Sequence, residues 1–119
     1  MQRFEDTAQV AENEITAYEN ARAVYADKAR EEMRLEAERP IVKYAAVTRI
    51  MNSENPLTHK QHSASSAEAI VETDEEYRAH LLNQRNTVHA KNRAWTDAES
   101  AFFRANLALA QLKAVARVA

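Results

Sequence analysis

Residues 81–109 read LLNQRNTVHAKNRAWTDAESAFFRANLAL, and a large apolar side chain recurs at every seventh position of this stretch. A sustained seven-residue spacing places these side chains along one stripe of an α-helix, as in the contact face of a coiled coil. We therefore predict an all-α fold, built as a long antiparallel helical hairpin with coiled-coil-like packing. The stripe consists of Leu81, Val88, Trp95, Phe102 and Leu109.

The composition favours helices and excludes several kinds of ligand site. The chain has 119 residues, which suits one domain, and it contains 24 alanines and no glycine. Alanine favours helix and lets helices pack closely. Phosphate loops, nucleophile elbows and dinucleotide-binding turns need glycine, because backbone must approach a ligand or take positive φ there. We therefore expect a protein that is not an enzyme and that uses no cofactor.

The apolar spacing and the turn signals divide the chain into four segments. Residues 3–52 are predicted to form a helical arm, with a kink or short break where Pro40 removes a backbone hydrogen bond. Residues 53–64 form the only loop-like stretch, residues 65–72 a short helix and residues 74–118 a long final helix. All four segments are assigned to a single helical domain.

Acidic residues cluster around the predicted starts of the two later helices. Ser65 with Glu68, and Thr73 with Glu76, have the spacing of capping boxes. Carboxylates are favourable at the positive end of a helix, so we interpret the cluster as capping charges; mimicry of DNA or binding of a cation is the alternative. The cluster comprises Glu68, Glu72, Asp74, Glu75 and Glu76.

Charge is distributed unevenly between the two arms. Residues 1–39 carry 6 basic and 10 acidic side chains, whereas residues 77–119 carry 7 basic and 2 acidic ones. The arms should attract each other when they fold back antiparallel. No stretch approaches the roughly 20 apolar residues that cross a bilayer, and the N-terminal segment lacks the apolar region of a signal peptide. We expect a cytoplasmic protein that does not interact with membranes.

Histidine is the residue type that first suggests a metal site. His59 and His62 lie three residues apart in the predicted loop. Such a pair holds zinc only when further ligands converge on it, and the chain has no cysteine to supply them. We therefore predict solvated loop histidines and no metal site.

The basic final helix is the one candidate for a functional surface. Its arginines and lysines are suited to contacts with phosphates, and an exposed aromatic residue can stack on a base. Trp95 and Phe102 lie on the apolar stripe and are expected to be buried, whereas Phe103 lies one residue off it and is expected to be free for a partner. The predicted nucleic-acid or partner-binding residues are Arg78, Arg85, Lys91, Arg93, Phe103 and Arg104.

Residues 52–110 resemble small helical proteins encoded by tailed phages and prophages. The likeness is carried by the turn Asn-Pro-Leu-Thr-x-Lys-x-His-Ser at 55–63, by Ser-Ala-Glu at 66–68, and by Asp74 and Tyr77 at the start of the last helix. Such proteins are often encoded among recombination or replication genes. The resemblance implies a role in phage DNA metabolism or in takeover of the bacterial host, and it implies no named activity.

The turn departs from the family pattern at one position. His59 stands where a glycine is expected in that turn. The departure concerns the geometry of the turn.

Two functional hypotheses follow. The first is an oligomeric phage accessory protein in recombination or replication, which binds single-stranded DNA or a DNA-bound recombination protein. The second is an anti-defence inhibitor that binds and blocks a host defence protein. Both expect a homo-oligomer, a dimer or larger, because the apolar stripe of the final helix exceeds what a first arm shortened at Pro40 covers.

Overall fold

The computed structural model describes residues 2–118, and within them the chain is all-α. The only extended pairing in this range is an isolated bridge between Glu54 and Gln61. This confirms the predicted fold class. The elements are α1 (Gln2–Met51), α2 (Ala64–Ala69), a 3-10 turn (Val71–Thr73) and α3 (Glu75–Val118).

Helix α1 continues without a break through Pro40. The break considered from the sequence does not occur, and α1 covers nearly the same residues as the predicted arm, 3–52. Proline costs a helix one hydrogen bond, because it has no N–H to donate to the carbonyl four residues earlier, that of Glu36. Both residues are exposed, so water can satisfy the carbonyl. The continuous helix removes the interruption at Pro40 as a reason to expect a second copy, and the homo-oligomer stays a prediction.

The chain folds as two compact units. In unit 1, residues 2–29 pack against residues 89–118, and unit 2 is formed by residues 30–88. Both units contain a part of α1 and a part of α3, and these parts run antiparallel. In unit 1, for example, Glu14 bonds to Arg104, while Tyr25 contacts Trp95.

In unit 1 the buried face of α3 is made of alanine. These alanines repeat at three- and four-residue intervals, and each is at least nine-tenths buried. Small side chains let two helices approach closely, and these alanines are the enclosed residues of α3 in unit 1. Ala94, Ala101 and Ala108 each come one residue before a member of the predicted stripe. We call this set the alanine seam: Ala94, Ala98, Ala101, Ala105 and Ala108.

Unit 2 has a more conventional core. Ala46, Val71 and Tyr77 are buried together, and half-buried apolar residues of α1 and α3 surround them. Further along the same pair of helices, the His80 ring nitrogen Nε2 donates to the backbone carbonyl of Leu35 at 2.8 Å. This bond joins α3 to α1 through a buried residue, since Leu35 is almost fully enclosed.

The caps of the two later helices differ from the predicted capping boxes. Ser63 caps α2, because its hydroxyl accepts from the Ser66 N–H at 3.1 Å. Asp74 caps α3 by accepting from the Tyr77 N–H at 2.9 Å. Thr73 instead donates its hydroxyl to the Ile70 carbonyl at 2.7 Å. Helix α3 begins at Glu75, one residue later than predicted, because residues 71–73 form a 3-10 turn.

The loop is closed by its own backbone, as the Asn-Pro signal predicted. Asn55 donates to the Lys60 carbonyl at 2.7 Å, and its side chain accepts from the Leu57 N–H at 2.9 Å. His59 has a φ of 56°. A left-handed conformation is what glycine adopts most easily, so the geometry fits the position at which glycine was expected. No helix within residues 2–118 is both long and apolar enough to cross a bilayer.

Candidate functional site

Aromatic side chains from both helices of unit 1 line an open groove. The groove has a volume of about 570 Å³. Helix α1 contributes Tyr18, Arg22 and Tyr25 to it, and α3 contributes the opposite wall. We call this feature the aromatic groove, with the α3 wall formed by Trp95, Ala98, Glu99, Phe102 and Phe103.

Two aromatic pairs connect the α1 wall of the aromatic groove to its α3 wall. The ring centroids of Tyr18 and Phe102 are 5.4 Å apart and tilted by 57°, and those of Tyr25 and Trp95 are 5.1 Å apart and tilted by 59°. Tilted contacts at this distance are favourable for aromatic quadrupoles. Members of the two pairs are seven residues apart on each helix, a separation of about 10 Å along the helix axis.

The prediction that Trp95 and Phe102 are buried is wrong. Trp95 is 51% exposed and Phe102 is 49% exposed. The reason is the alanine seam, since the residue directly before each of them, Ala94 and Ala101, takes the buried position. The aromatic rings are left on the flank of the helix, where one side meets a tyrosine of α1 and the rest faces solvent.

Phe103 and Arg93 are the predicted site residues of unit 1 that stand free in solvent. Phe103 is 77% exposed, as expected from its position off the apolar stripe, and it belongs to the aromatic groove. Arg93 is exposed as well. Lys91 is half-buried and already has a bonded partner. Arg104 lies 3.3 Å from Glu14 of α1, so the acidic arm pairs with the basic helix as the charge pattern predicted.

The remaining predicted residues lie in unit 2. Arg78 and Arg85 are exposed and line a shallow recess together with Glu72, Leu81 and Leu82. A carboxylate beside two guanidinium groups reduces the positive potential that would attract a phosphate. Sequence analysis treated the six residues as one surface, whereas the structure divides them between the two units.

Sequence analysis missed the contribution of α1 to the groove. Tyr18 and Tyr25 are seven residues apart, and Arg22 lies between them. Glu99 occupies the corresponding place between Trp95 and Phe102 on α3. The sequence predicts the groove only if residue 18 of α1 is placed beside residue 102 of α3. This offset between the two helices depends on the length and shape of the segment that connects them.

An ion pair, which we call the Arg49–Asp74 pair, joins the end of α1 to the start of α3 within unit 2. Arg49 donates to both carboxylate oxygens of Asp74, with Nε–Oδ1 at 3.1 Å and Nη2–Oδ2 at 2.7 Å, and it also lies 3.2 Å from Glu76. The hydrogen bond from Arg49 lowers the pKa of Asp74, and the N–H of Tyr77 adds to the effect, although desolvation opposes it. The same bond raises the pKa of Arg49.

The interpretation of the acidic cluster as capping charge is confirmed for Asp74, which caps α3. Glu68 makes a different contact, lying 3.4 Å from Lys43 of α1. These two carboxylates therefore already have partners within the fold.

The loop histidines have partners of their own. The Nδ1 atom of His59 lies 3.3 Å from a Glu54 carboxylate oxygen, and that of His62 lies 2.8 Å from the Ser66 hydroxyl. His59 is exposed as predicted, whereas His62 is half-buried. Across residues 2–118, no group of three or more histidine, aspartate or glutamate side chains is placed to hold a metal ion.

The chain matches no protein-family model, no curated protein and no solved structure. The resemblance to phage proteins therefore stays an expectation.

Proposed function

We propose that the protein acts by binding, without catalysis, and that the aromatic groove of unit 1 receives an amphipathic helix of another protein. The observation that carries the proposal is the half-exposure of Trp95 and Phe102. Their separation of about 10 Å along α3 equals the distance between anchors seven residues apart on a docked helix. Tryptophan is also among the side chains that most often dominate the binding energy of protein interfaces.

The charge of the groove supports a protein partner over a nucleic acid. Residues 1–29 and 89–119 together carry eight basic and eight acidic side chains. Within the groove, Arg22 on one wall is balanced by Glu99 on the other. A surface that binds nucleic acid mainly through phosphates needs an excess of positive charge. A neutral aromatic surface with one charge of each sign suits a helix with mixed polar edges.

The resemblance to phage proteins suggests the setting. In that setting the partner is a protein of recombination or replication bound to DNA, and the chain is an accessory factor in the bacterial cytoplasm. A host defence protein blocked through the same groove is the alternative. The groove supports both readings equally, because both need an exposed helix on the partner.

Single-stranded DNA is the second candidate ligand, and one observation favours it. Trp95, Phe102 and Phe103 all present ring surface to solvent, and stacking on such rings is how proteins bind unpaired bases without sequence preference. Arg93 stands exposed on the same segment of α3. Fluorescence anisotropy of a labelled oligothymidylate at several salt concentrations tests this candidate. Binding that weakens with salt and is lost in Phe103→Ala would favour it over a protein partner.

Photo-crosslinking tests the proposed function directly. We would place benzoyl-phenylalanine at Phe103 in bacterial cells producing the full chain, and at Asn92 as an exposed control on the same helix segment. The proposal expects one discrete protein adduct from position 103 that resists nuclease, is absent from position 92, and disappears when Arg22→Glu is added. An adduct sensitive to nuclease would replace the protein partner with nucleic acid. Equal labelling from both positions would refute the groove as a binding site.

A further inference from the structure

Helix α1 carries a second apolar surface, on the side of unit 2 that faces away from the core. Met33, Ala37, Ile41 and Tyr44 follow one another at intervals of four, four and three residues, so they share one face of the helix. Met33 is 69% exposed, Ile41 is 71% exposed and Tyr44 is 75% exposed. We call these four residues the outer stripe. Leu35 and Ala46, which are buried, and Val42, which is half-buried, lie on the opposite side of the same segment.

The outer stripe is large enough to form the centre of an interface. Three large side chains exposed to this degree present roughly 300–450 Å² of surface, the size of patch that is often functional on a small protein. A specific dimer buries about 800 Å² on each partner. The polar residues that border the stripe would supply the remaining area at the rim, as is usual in such interfaces.

The order of residues along the stripe is complementary to itself. When two copies of α1 lie antiparallel about a point near residue 39, Met33 of one copy comes opposite Tyr44 of the other, and Ala37 comes opposite Ile41. In each of these pairs a larger side chain meets a smaller or more flexible one. A two-fold interface requires a self-complementary surface, because the same patch of each copy must face itself.

Charge at the edge of the stripe fits the same arrangement. Glu36 and Lys43 lie on one flank of the stripe, and the antiparallel register places Glu36 of one copy opposite Lys43 of the other, twice per dimer. Among residues 2–118, Glu36 has no ion-pair partner, and Lys43 is shared with Glu68 at 3.4 Å. A partner of different sequence would need no such balance of opposite charges on one flank.

We propose that the outer stripe is the contact between two copies of this chain, paired antiparallel about residue 39 of α1. This contact lies entirely in unit 2 and does not rest on the proposed function of the groove. It also replaces the reasoning from the sequence, in which a dimer was expected because α1 was too short.

Sedimentation equilibrium of the full chain tests the contact. Wild type should have twice the 13.5 kDa mass of one chain, and Ile41→Glu should be a monomer with unchanged helicity, because Ile41 is exposed within the unit. Leu107→Glu, an exposed leucine of unit 1, is the matched control and should stay dimeric. A monomeric wild type, or a dimer that Ile41→Glu leaves intact, would overturn the proposal.

Charge exchange and crosslinking test the register. Glu36→Lys should weaken the dimer by about tenfold or more, and adding Lys43→Glu should restore it. Because the chain has no cysteine, Met33→Cys and Tyr44→Cys report on geometry without background. Oxidation of the two variants mixed together should give a crosslinked dimer in high yield, and each variant alone should give little. Efficient crosslinking of each variant with itself would indicate a parallel contact and would contradict the proposed register.

Discussion

Replacing Ala101 with leucine should destabilise the protein, because Ala101 lies in the alanine seam and is only 1% exposed. Leucine adds three carbon atoms at a position that is already fully enclosed. Forcing additional methylene groups into a packed interior typically costs about 1–3 kcal/mol. Helix propensity does not compensate, because leucine and alanine are both strong helix formers. In a domain of this size such a loss lowers the melting temperature by roughly 4–12 °C.

Ala110→Leu is the matched control, since the same substitution is made on the same helix at an exposed position. Its effect on stability should be within about 0.5 kcal/mol of zero, as for most surface changes. Urea denaturation followed by far-ultraviolet circular dichroism measures both variants. An Ala101→Leu protein as stable as wild type, or more stable, would refute the alanine seam and would restore the stripe that contains Phe102 as the buried face.

The structure makes two further predictions about stability. Asp74→Ala should cost about 1 kcal/mol through loss of the helix cap, whereas Asp74→Asn should keep the cap and lose only the salt-sensitive attraction of Arg49. The pKa of Asp74 is lowered on folding, so its stabilising effect is fully present above about pH 4 and is lost as the pH falls through the lowered pKa. Urea denaturation at a series of acidic pH values should show that Asp74→Asn reduces this loss of unfolding free energy at low pH. The same loss in Asp74→Asn as in wild type would argue against a stabilising role of the Arg49–Asp74 pair. Trp95→Ala should lower the free energy of unfolding by about 2 kcal/mol. This follows because half of a side chain of roughly 250 Å² is buried at about 25 cal/mol per Å², and alanine keeps part of that burial. A decrease of about 3–5 kcal/mol, typical of a fully buried ring, would contradict the half-exposed position of Trp95.

The sequence predicts the fold class correctly. However, most residues of the apolar stripe that it indicates on α3 follow a buried residue by one position. Large apolar residues recur at 88, 95 and 102, and alanines or threonine recur with the same spacing at 87, 94 and 101. A prediction of the buried face from hydrophobicity favours the larger residues. Close antiparallel packing selects the smaller ones, because Thr87, Ala94 and Ala101 are the buried residues. Two stripes of equal period cannot be ranked without the partner helix.

The candidate site was less accessible from the sequence than the fold. Phe103 was identified because it lies off the apolar stripe, but Tyr18 and Arg22 join it only through the offset between α1 and α3. That offset depends on the closed loop, on the 3-10 turn at Val71–Thr73 and on the passage of α1 through Pro40.

Fluorescence of Trp95, the single tryptophan of the chain, tests most directly whether the aromatic groove is open in the free protein. A half-exposed Trp95 should emit at wavelengths typical of a partly hydrated indole and should be quenched readily by acrylamide. Binding of the partner captured through Phe103 should shift the emission to shorter wavelengths and protect the ring from the quencher. Blue-shifted emission that resists acrylamide in the free protein would show that Trp95 is already buried, and it would rule out the groove as an available binding site.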